Sequence, residues 1–358
     1  MRILYIAYPL APVSAESCGG AEQIVFMVER EFHHRGHETT LAACKGSRAS
    51  GELLETGACG DMDSLPRRDP EHSDHILEFL SRTQNTSARF DLVHDHSATF
   101  WKHAGQVDAP VLATLHLPQG FYPQEMFARL APNLFFNCVS HSQAQSFSGL
   151  PQMAGVTPNG IVIENFPLHA GKENYLLWLG RICEEKGAHI AIEVAAMAGL
   201  PLLIAGTVYP FSYHHQYFLR ELAPRIAASV SGVRFVQGPT LAEKVELLQR
   251  ARAVLIPSLV AETSSLVAME AMACGTPPIA FRRGALSEVI ADGETGFVVD
   301  TPEQMATAIR RVHEISPERC RARVEENFAA TRMADDYDRL YGRVLAAHRE
   351  RPHEPALA

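Results

Sequence analysis

The stretch Ala253-Val254-Leu255-Ile256-Pro257-Ser258-Leu259-Val260-Ala261-Glu262-Thr263-Ser264-Ser265-Leu266-Val267-Ala268-Met269-Glu270-Ala271-Met272-Ala273-Cys274-Gly275-Thr276-Pro277 runs from an apolar segment through a Ser/Thr-rich turn into a block of helix formers. That order predicts a buried strand, a loop and a helix. Ser264 or Thr263 is placed to cap the helix. The first helical amides, near Ser265, Leu266 and Val267, then point free at the strand's carboxyl end, a setting that suits an anionic phosphate. Glu262 falls on the turn and Glu270 inside the helix. At about 1.5 Å of rise per residue the two carboxylates stand about a nucleoside apart, so one can meet a sugar and the other a ribose. A buried strand and helix with two incidental acids has the same spacing.

The surrounding chain repeats the pattern. Apolar runs at Arg2–Tyr8, Glu38–Cys44, Asp91–His94, Val111–Leu115 and Leu134–Val139 predict strands in the first half. Tyr175–Leu179, Pro201–Ala205, Val233–Val236, Ala253–Ile256, Pro278–Phe281 and Gly296–Val299 predict strands in the second. Amphipathic stretches separate them. In 21–34, Ile24, Val25, Val28 and Phe32 share one face. Alternation of this kind implies an α/β chain with parallel sheets covered on both faces. The 358 residues favour two domains. Ile163–Lys172, with Pro167 and Gly171, is the linker candidate. The expected division is 1–165, 166–333, and a last helix from Ala334 to Arg349 returning to the first domain, with a frayed end from Arg351. A polar region, 46–89, reads as loops with one helix at Asp74–Arg82.

Composition narrows the function. The chain is 46% hydrophobic and 20% charged, as soluble globular proteins are. No apolar run reaches membrane-span length, and the short apolar start lacks the form of a signal peptide. A cytoplasmic location is expected. The seven cysteines form no C-x-x-C, so reduced thiols are expected. Of the net charge of −9, residues 1–165 carry −7, from 18 acids against 11 Lys/Arg. Nucleic acid and anionic lipid need a basic surface, so neither is an expected partner.

Three further constellations stand near predicted strand ends. Leu177-Trp178-Leu179-Gly180-Arg181-Ile182-Cys183-Glu184-Glu185-Lys186-Gly187 ends a strand in Gly-Arg and opens a helix with Lys-Gly. Two cations beside a helix start suit a departing diphosphate, although a surface Arg and Lys is the plainer reading of those two alone. Ser17-Cys18-Gly19-Gly20-Ala21-Glu22 places a glycine turn before a helix, where backbone can approach a ligand; an ordinary turn has the same look. It is no dinucleotide fingerprint. His94, Asp95, His96 and His116 follow two strands, where a histidine is either a structural group or a site group. Asp61-Met62-Asp63 has the D-x-D form of metal-dependent sugar transferases but sits in a polar loop. His214-His215, adjacent on a helix, point apart. No metal role is assigned to either motif.

The segment around Glu262 and Glu270 resembles the Glu-x7-Glu region of family 4 of the retaining glycosyltransferases. Those enzymes have the GT-B fold, two Rossmann-like domains facing a deep interdomain cleft. Gly180-Arg181 with Lys186-Gly187, the glycine loop, Thr114-Leu115-His116, Val139–Ser142 and Pro158–Ile161 are similar to further landmarks of the family. Ser264-Ser265 replaces its frequent Phe-Gly. The resemblance implies that Glu262 contacts the transferred sugar and Glu270 the ribose. It implies that Arg181 and Lys186 hold the diphosphate with the amides of Ser265–Val267, and that His116 lies near the sugar hydroxyls and reaction centre. Gly19, Gly20 and Gly180 would approach the donor. The loop around Gly238 would bracket the base, mainly through backbone groups. The expected activity is retaining, metal-independent hexosyl transfer from a UDP- or GDP-sugar, with no further cofactor. The expected acceptor is a small soluble natural product or aminocyclitol, as in members that glycosylate antibiotics; a glycan or lipid-linked sugar is the alternative. An epimerase or phosphorylase of the same fold would turn over without acceptor or without nucleotide. A non-enzymatic sugar-binding protein would bind sugar alone.

Overall fold

The computed structural model describes residues 1–17, 19–209, 211–229 and 232–350. Cys18 of the glycine loop and the tail from Arg351 lie outside the described residues. Two compact units are present. The first comprises Met1–Val139, Ala144–Thr157 and the chain from Met333 on; the second comprises Ser140–Gln143 and Pro158–Arg332.

Among the described residues the first unit holds seven strands: β1 (Arg2–Ile6), β2 (Glu38–Ala43), β3 (Glu52–Glu55), β4 (Leu92–Asp95), β5 (Val111–Leu115), β6 (Leu134–Cys138) and β7 (Met153–Val156). Their order is β3-β2-β1-β4-β5-β6-β7, and every neighbouring pair is parallel. The second unit holds β8 (Leu176–Arg181), β9 (Leu202–Thr207), β10 (Val233–Gln237), β11 (Ala253–Ile256), β12 (Pro278–Phe281) and β13 (Phe297–Val299). Their order is β10-β9-β8-β11-β12-β13, again all parallel. In each sheet the strand order reverses beside its first strand, at β1/β4 and at β8/β11. Those reversal points are where doubly wound sheets receive ligands, outside the carboxyl ends of the strands.

Central strands read as apolar runs because both faces are covered. Every residue of β5 is buried, as are Ala253, Val254 and Leu255 of β11. The helix Gly20–His34 buries Ile24, Val25, Val28 and Phe32, the face expected from their spacing. Two strands were not expected, β3 and β7. The helix of the polar region runs over Leu65–Thr83, beginning well before Asp74. Pro66 stands in its first turn, where a missing N–H costs nothing.

The stretch 163–172 is not a linker. Ile163 and Phe166 are buried in the second core. The Lys172 ammonium donates to the carbonyls of Gln249 and Cys274 and to the Thr276 hydroxyl, at 2.8, 3.0 and 2.7 Å. The chain instead enters the second unit at Thr157–Pro158 and leaves it at Arg332–Met333. Residues 140–143 group with the second unit because the amides of His141 and Ser142 donate to the Glu288 carboxylate, at 2.9 and 2.6 Å.

The last helix, Ala330–Glu350, buries Tyr337, Leu340, Tyr341 and Val344, which share one helical face. Its tyrosines meet the strands of the first unit. The Tyr341 hydroxyl lies 2.6 Å from His94 Nδ1, and the Tyr337 hydroxyl lies 3.4 Å from Thr114 Oγ1. Among the described residues no helix is long and apolar enough to cross a membrane.

Candidate active site

In the second unit the site residues cluster at the carboxyl ends of β8 to β11. β8 ends in Gly180-Arg181, paired with Gly206-Thr207 of β9. A tight turn, Glu184–Lys186, follows, and Gly187 precedes the helix Ala188–Ala198. Gly187 has φ +70°, and a Cβ there would lie 2.1 Å from the Pro257 carbonyl oxygen. Only glycine lets the Lys186 turn press against the start of the Glu262 loop.

That loop is fixed from its other side. Glu262 pairs with Gly284 through an isolated parallel bridge, and the Ala285 amide donates to the Glu262 carbonyl at 2.7 Å. Gly284 has φ +57°, and a Cβ there would meet the Glu262 carbonyl oxygen at 2.2 Å. The Glu262 carboxylate accepts from Lys186 Nζ at 2.6 and 2.8 Å, and from the Ser258 hydroxyl at 2.6 Å. The Glu262 side chain is 11% exposed and that of Lys186 28%. The pair therefore sits at the surface of the site, where a ligand can reach it.

The helix after the loop, Leu266–Ala273, is capped by Ser265, not by Thr263 or Ser264. The Ser265 hydroxyl accepts from the Ala268 amide at 3.3 Å, three residues on, which the backbone geometry permits only from this position. The Leu266 and Val267 amides come before the first intrahelical bond and have no acceptor among the described residues. Glu270 lies one turn deeper, its side chain only 3% exposed. Lys244, unmarked by any motif, donates to it at 2.6 Å and stands 5.2 Å over the Phe166 ring. Burying that carboxylate without a cation would be costly, so Lys244 is the partner its position demands. It comes from the neighbouring helix, Leu241–Arg250, a tertiary contact that local spacing does not encode.

Arg181 is partly buried, its guanidinium 5.9 Å from the Tyr209 ring. It makes no ion pair among the described residues. Gly238 has φ +56°, and its amide donates to the Gly206 carbonyl at 2.9 Å. That N–H is therefore not available to a base. Cys183, Glu185 and His214 also converge beside this loop.

The first unit holds its candidate groups separately. Gly19 and Gly20 stand at the start of the helix Gly20–His34, which has no side-chain cap. Gly19 has ordinary φ, −80°, so the turn itself does not require glycine. His96 Nδ1 lies 2.8 Å from His116 Nε2, and their rings stack with centroids 5.1 Å apart. His94 is enclosed between Tyr341 and Thr114, the latter 2.8 Å from Nε2. Burial pulls His116 down to about 4 and His94 and His96 well below the usual histidine range. All three imidazoles are neutral at pH 7. Asp95, which ends β4, is occupied: its two oxygens accept from the Ser97 and Trp101 amides, both at 2.7 Å. Burial raises its pKa to about 6. Asp61 is likewise a loop group, accepting from the Ser64 amide at 2.9 Å.

Comparison with known proteins gives two adjoining family matches. Residues 162–328 match the family described as glycosyl transferases group 1, and residues 18–164 match glycosyltransferase family 4. A D-inositol 3-phosphate glycosyltransferase of Acidothermus cellulolyticus is 24% identical over 98% of this chain and 90% of its own. Two solved structures share the fold. AviGT4, a glycosyltransferase involved in avilamycin A biosynthesis, has a TM-score of 0.72 at 20% identity, covering 96% of this chain and 98% of its own. The Anabaena protein Alr3699/HepE, in complex with UDP-glucose, has a TM-score of 0.74 at 16% identity, covering 96% and 99%.

Proposed function

Because the chain belongs to the family 4, group 1 glycosyltransferases with the GT-B fold, we propose that it moves a hexosyl unit, with retention, from a UDP- or GDP-sugar to a hydroxyl of a small soluble acceptor. The observation that carries this reading is the Lys186–Glu262 pair, which joins the two loops leaving β8 and β11 beside free helix amides. A cation, a helix start with two free amides and a carboxylate meet where doubly wound sheets bind ligands.

Arg181, Lys186 and the amides of Leu266 and Val267 hold the donor diphosphate. Glu270, steadied by Lys244, accepts from the ribose hydroxyls. Glu262 accepts from the sugar hydroxyls, with Lys186 and Ser258 fixing its rotamer. Gly180, Ser265 and Gly238 allow or shape backbone approach. In the first unit neutral His116, 2.8 Å from His96, is the candidate for hydrogen bonding to a substrate hydroxyl. The acceptor oxygen attacks the anomeric carbon on the face the diphosphate leaves. The C–O bond to phosphate breaks, and the acceptor proton passes to the departing phosphate oxygen. The two cations stabilise the charge that grows there, the role a metal ion fills in other sugar transferases.

The acceptor reading rests on charge. The one adjacent basic pair in residues 1–165, Arg67-Arg68, shares the single Glu71 carboxylate, at 3.6 and 3.0 Å. An anionic lipid surface needs a basic face that remains free, so a natural product or aminocyclitol fits better. Calorimetry with UDP and GDP tests the donor site. Arg181→Ala and Lys186→Ala should each weaken the preferred diphosphate about tenfold or more, since each removes a charge-assisted bond. Unchanged affinity in both variants removes the clamp. Vesicle co-sedimentation at low salt tests the acceptor. Strong binding to anionic vesicles, with transfer to a lipid-linked sugar and none to soluble polyols, overturns that half.

A further inference from the structure

His214 stands on the short helix Ser212–Tyr217 and is fully buried. Among the described residues neither ring nitrogen has a hydrogen-bond partner. The rings of Tyr209, Phe211 and Tyr213 surround it at 5.9, 5.1 and 4.2 Å. Aromatic packing explains the ring's burial but leaves a polar edge unsatisfied, which costs free energy. What faces it is a thiol and a carboxylate. Cys183 and Glu185, from the turn after β8, place Sγ and a carboxylate oxygen so that all three donor atoms lie within 4.8 Å of one another. Cys183 is fully buried, and Glu185 is partly exposed. His215, the neighbour in sequence, is exposed and takes no part.

We propose that Cys183, Glu185 and His214 form a binding site for a divalent transition metal of the zinc class. Thiolate, imidazole and carboxylate are the donor types zinc takes. In a tetrahedral site with bonds of roughly 2.0–2.3 Å, ligand atoms stand about 3.5 Å apart, so the three donors need to draw in by about 1 Å. Glu185, the exposed member, is free to make that move, and its exposure gives the ion an entry path. A solvent water completes the fourth position. On binding, the Cys183 thiol gives its proton to solvent and the sulfur–metal bond forms. Thiolate and carboxylate then cancel the ion's two charges, so the nearby Arg181 faces a neutral cluster rather than a bare cation. The ion would tie helix 212–217 to the turn 184–186. This assignment stands whatever those segments bind.

The test is a titration of the chelator-treated full chain with cobalt(II) chloride. The expected result is a thiolate-to-cobalt charge-transfer band in the near ultraviolet and intense tetrahedral visible bands. They should saturate at one equivalent, vanish on adding zinc, and persist with excess magnesium. Cys183→Ser should abolish the charge-transfer band, and His214→Gln should weaken cobalt binding at least about tenfold. Circular dichroism checks that both variants fold. Zinc should also raise the melting temperature of the wild type and leave that of Cys183→Ser unchanged, a readout independent of colour. Absence of the band in the wild type overturns the site. So does a band that survives both variants but disappears in Cys59→Ser, which would make the Cys44 and Cys59 thiols of the first unit, 2.6 Å from each other, the ligands.

Discussion

The two units handle buried polarity in opposite ways. The second pairs opposite charges at its strand ends, Lys186 with Glu262 and Lys244 with Glu270. The first encloses a neutral network of His94, Thr114, Tyr337, Tyr341 and Tyr5, with His96 and His116 beside it. Paired charges at a partly open site can exchange one partner for a charged or hydroxyl-rich ligand. A closed neutral network binds nothing at its centre; it fixes the positions of what surrounds it. The units should therefore answer mutation with different readouts, and that separation can be broken.

The largest effect belongs to the Lys186–Glu262 pair. Lys186→Ala should slow transfer about 100-fold or more, the scale of losing one preorganised charge-stabilising donor. Glu262→Gln should depress transfer comparably while leaving affinity for free nucleotide within about threefold. Glu270→Gln should do the reverse, weakening free nucleotide first. Product formation by chromatography and nucleotide calorimetry separate the two glutamates. Equal loss of free nucleotide in Glu262→Gln and Glu270→Gln would dissolve the proposed division between sugar and ribose.

Next comes acid stability, where the first unit should dominate. His72 and His116 are each held at about 4 by burial, against about 6.5 in an unfolded chain. Between those values the unfolded state binds more protons, so each histidine removes about 1.4 kcal/mol of stability per pH unit as pH falls from 6.5 towards 4. Above 6.5 neither contributes a slope. Asp95, raised to about 6, works oppositely between about 6 and 4 and offsets one of them. Urea unfolding at pH 7, 6 and 5 should show His72→Gln with a shallower fall than the wild type. Parallel curves would mean that His72 is protonated in the folded chain.

Tyr341→Phe should cost about 1–3 kcal/mol, because it leaves the buried His94 Nδ1 without its partner. Nucleotide affinity should not change. Thermal melts and calorimetry on the same preparation check both halves of that statement. A nucleotide defect without a stability loss would mean that the network serves the ligand, not the scaffold.

This asymmetry also explains what the sequence disclosed. In the second unit all six strands were legible, because each is a buried parallel strand written as an apolar run. The placement of Lys186 and Glu262 on strand-end loops and of Glu270 on the following helix was legible because local motifs carry them. Lys244 was not, since it reaches Glu270 from another helix. Ser265 was misread as following the cap because three successive hydroxyl residues fit the same composition, and only backbone geometry chooses among them. In the first unit Tyr341 and His94 are 247 residues apart, and no spacing rule joins them. The Asp95 carboxylate looked like a site group until its oxygens proved to serve two amides of its own loop. His214, adjacent to His215 on a helix, carries no metal signal in the sequence, because only the fold brings it to Cys183 and Glu185.

The two missed strands give the smallest prediction. β3 and β7 are the outer strands of the first sheet. β3 reads Glu52-Leu53-Leu54-Glu55 and has one partly buried residue, Leu54; no residue of β7 is fully buried. β7 is a short Met-Ala-Gly-Val run; β3, with a glutamate at each end, carries little apolar signal, and charges there discourage pairing with another chain. Its side chains should be correspondingly cheap to change. Leu53, 36% exposed, should tolerate Leu53→Lys within about 0.5 kcal/mol. Leu177, fully buried in β8, should lose about 2–5 kcal/mol on Leu177→Ala, from lost transfer energy plus the cavity left behind. The same residue type thus brackets the contrast between a covered strand and an outer one. Urea midpoints measure both. A loss above about 1.5 kcal/mol for Leu53→Lys would show that β3 is packed against something on its outer side, and its polar sequence would then need a reason other than position.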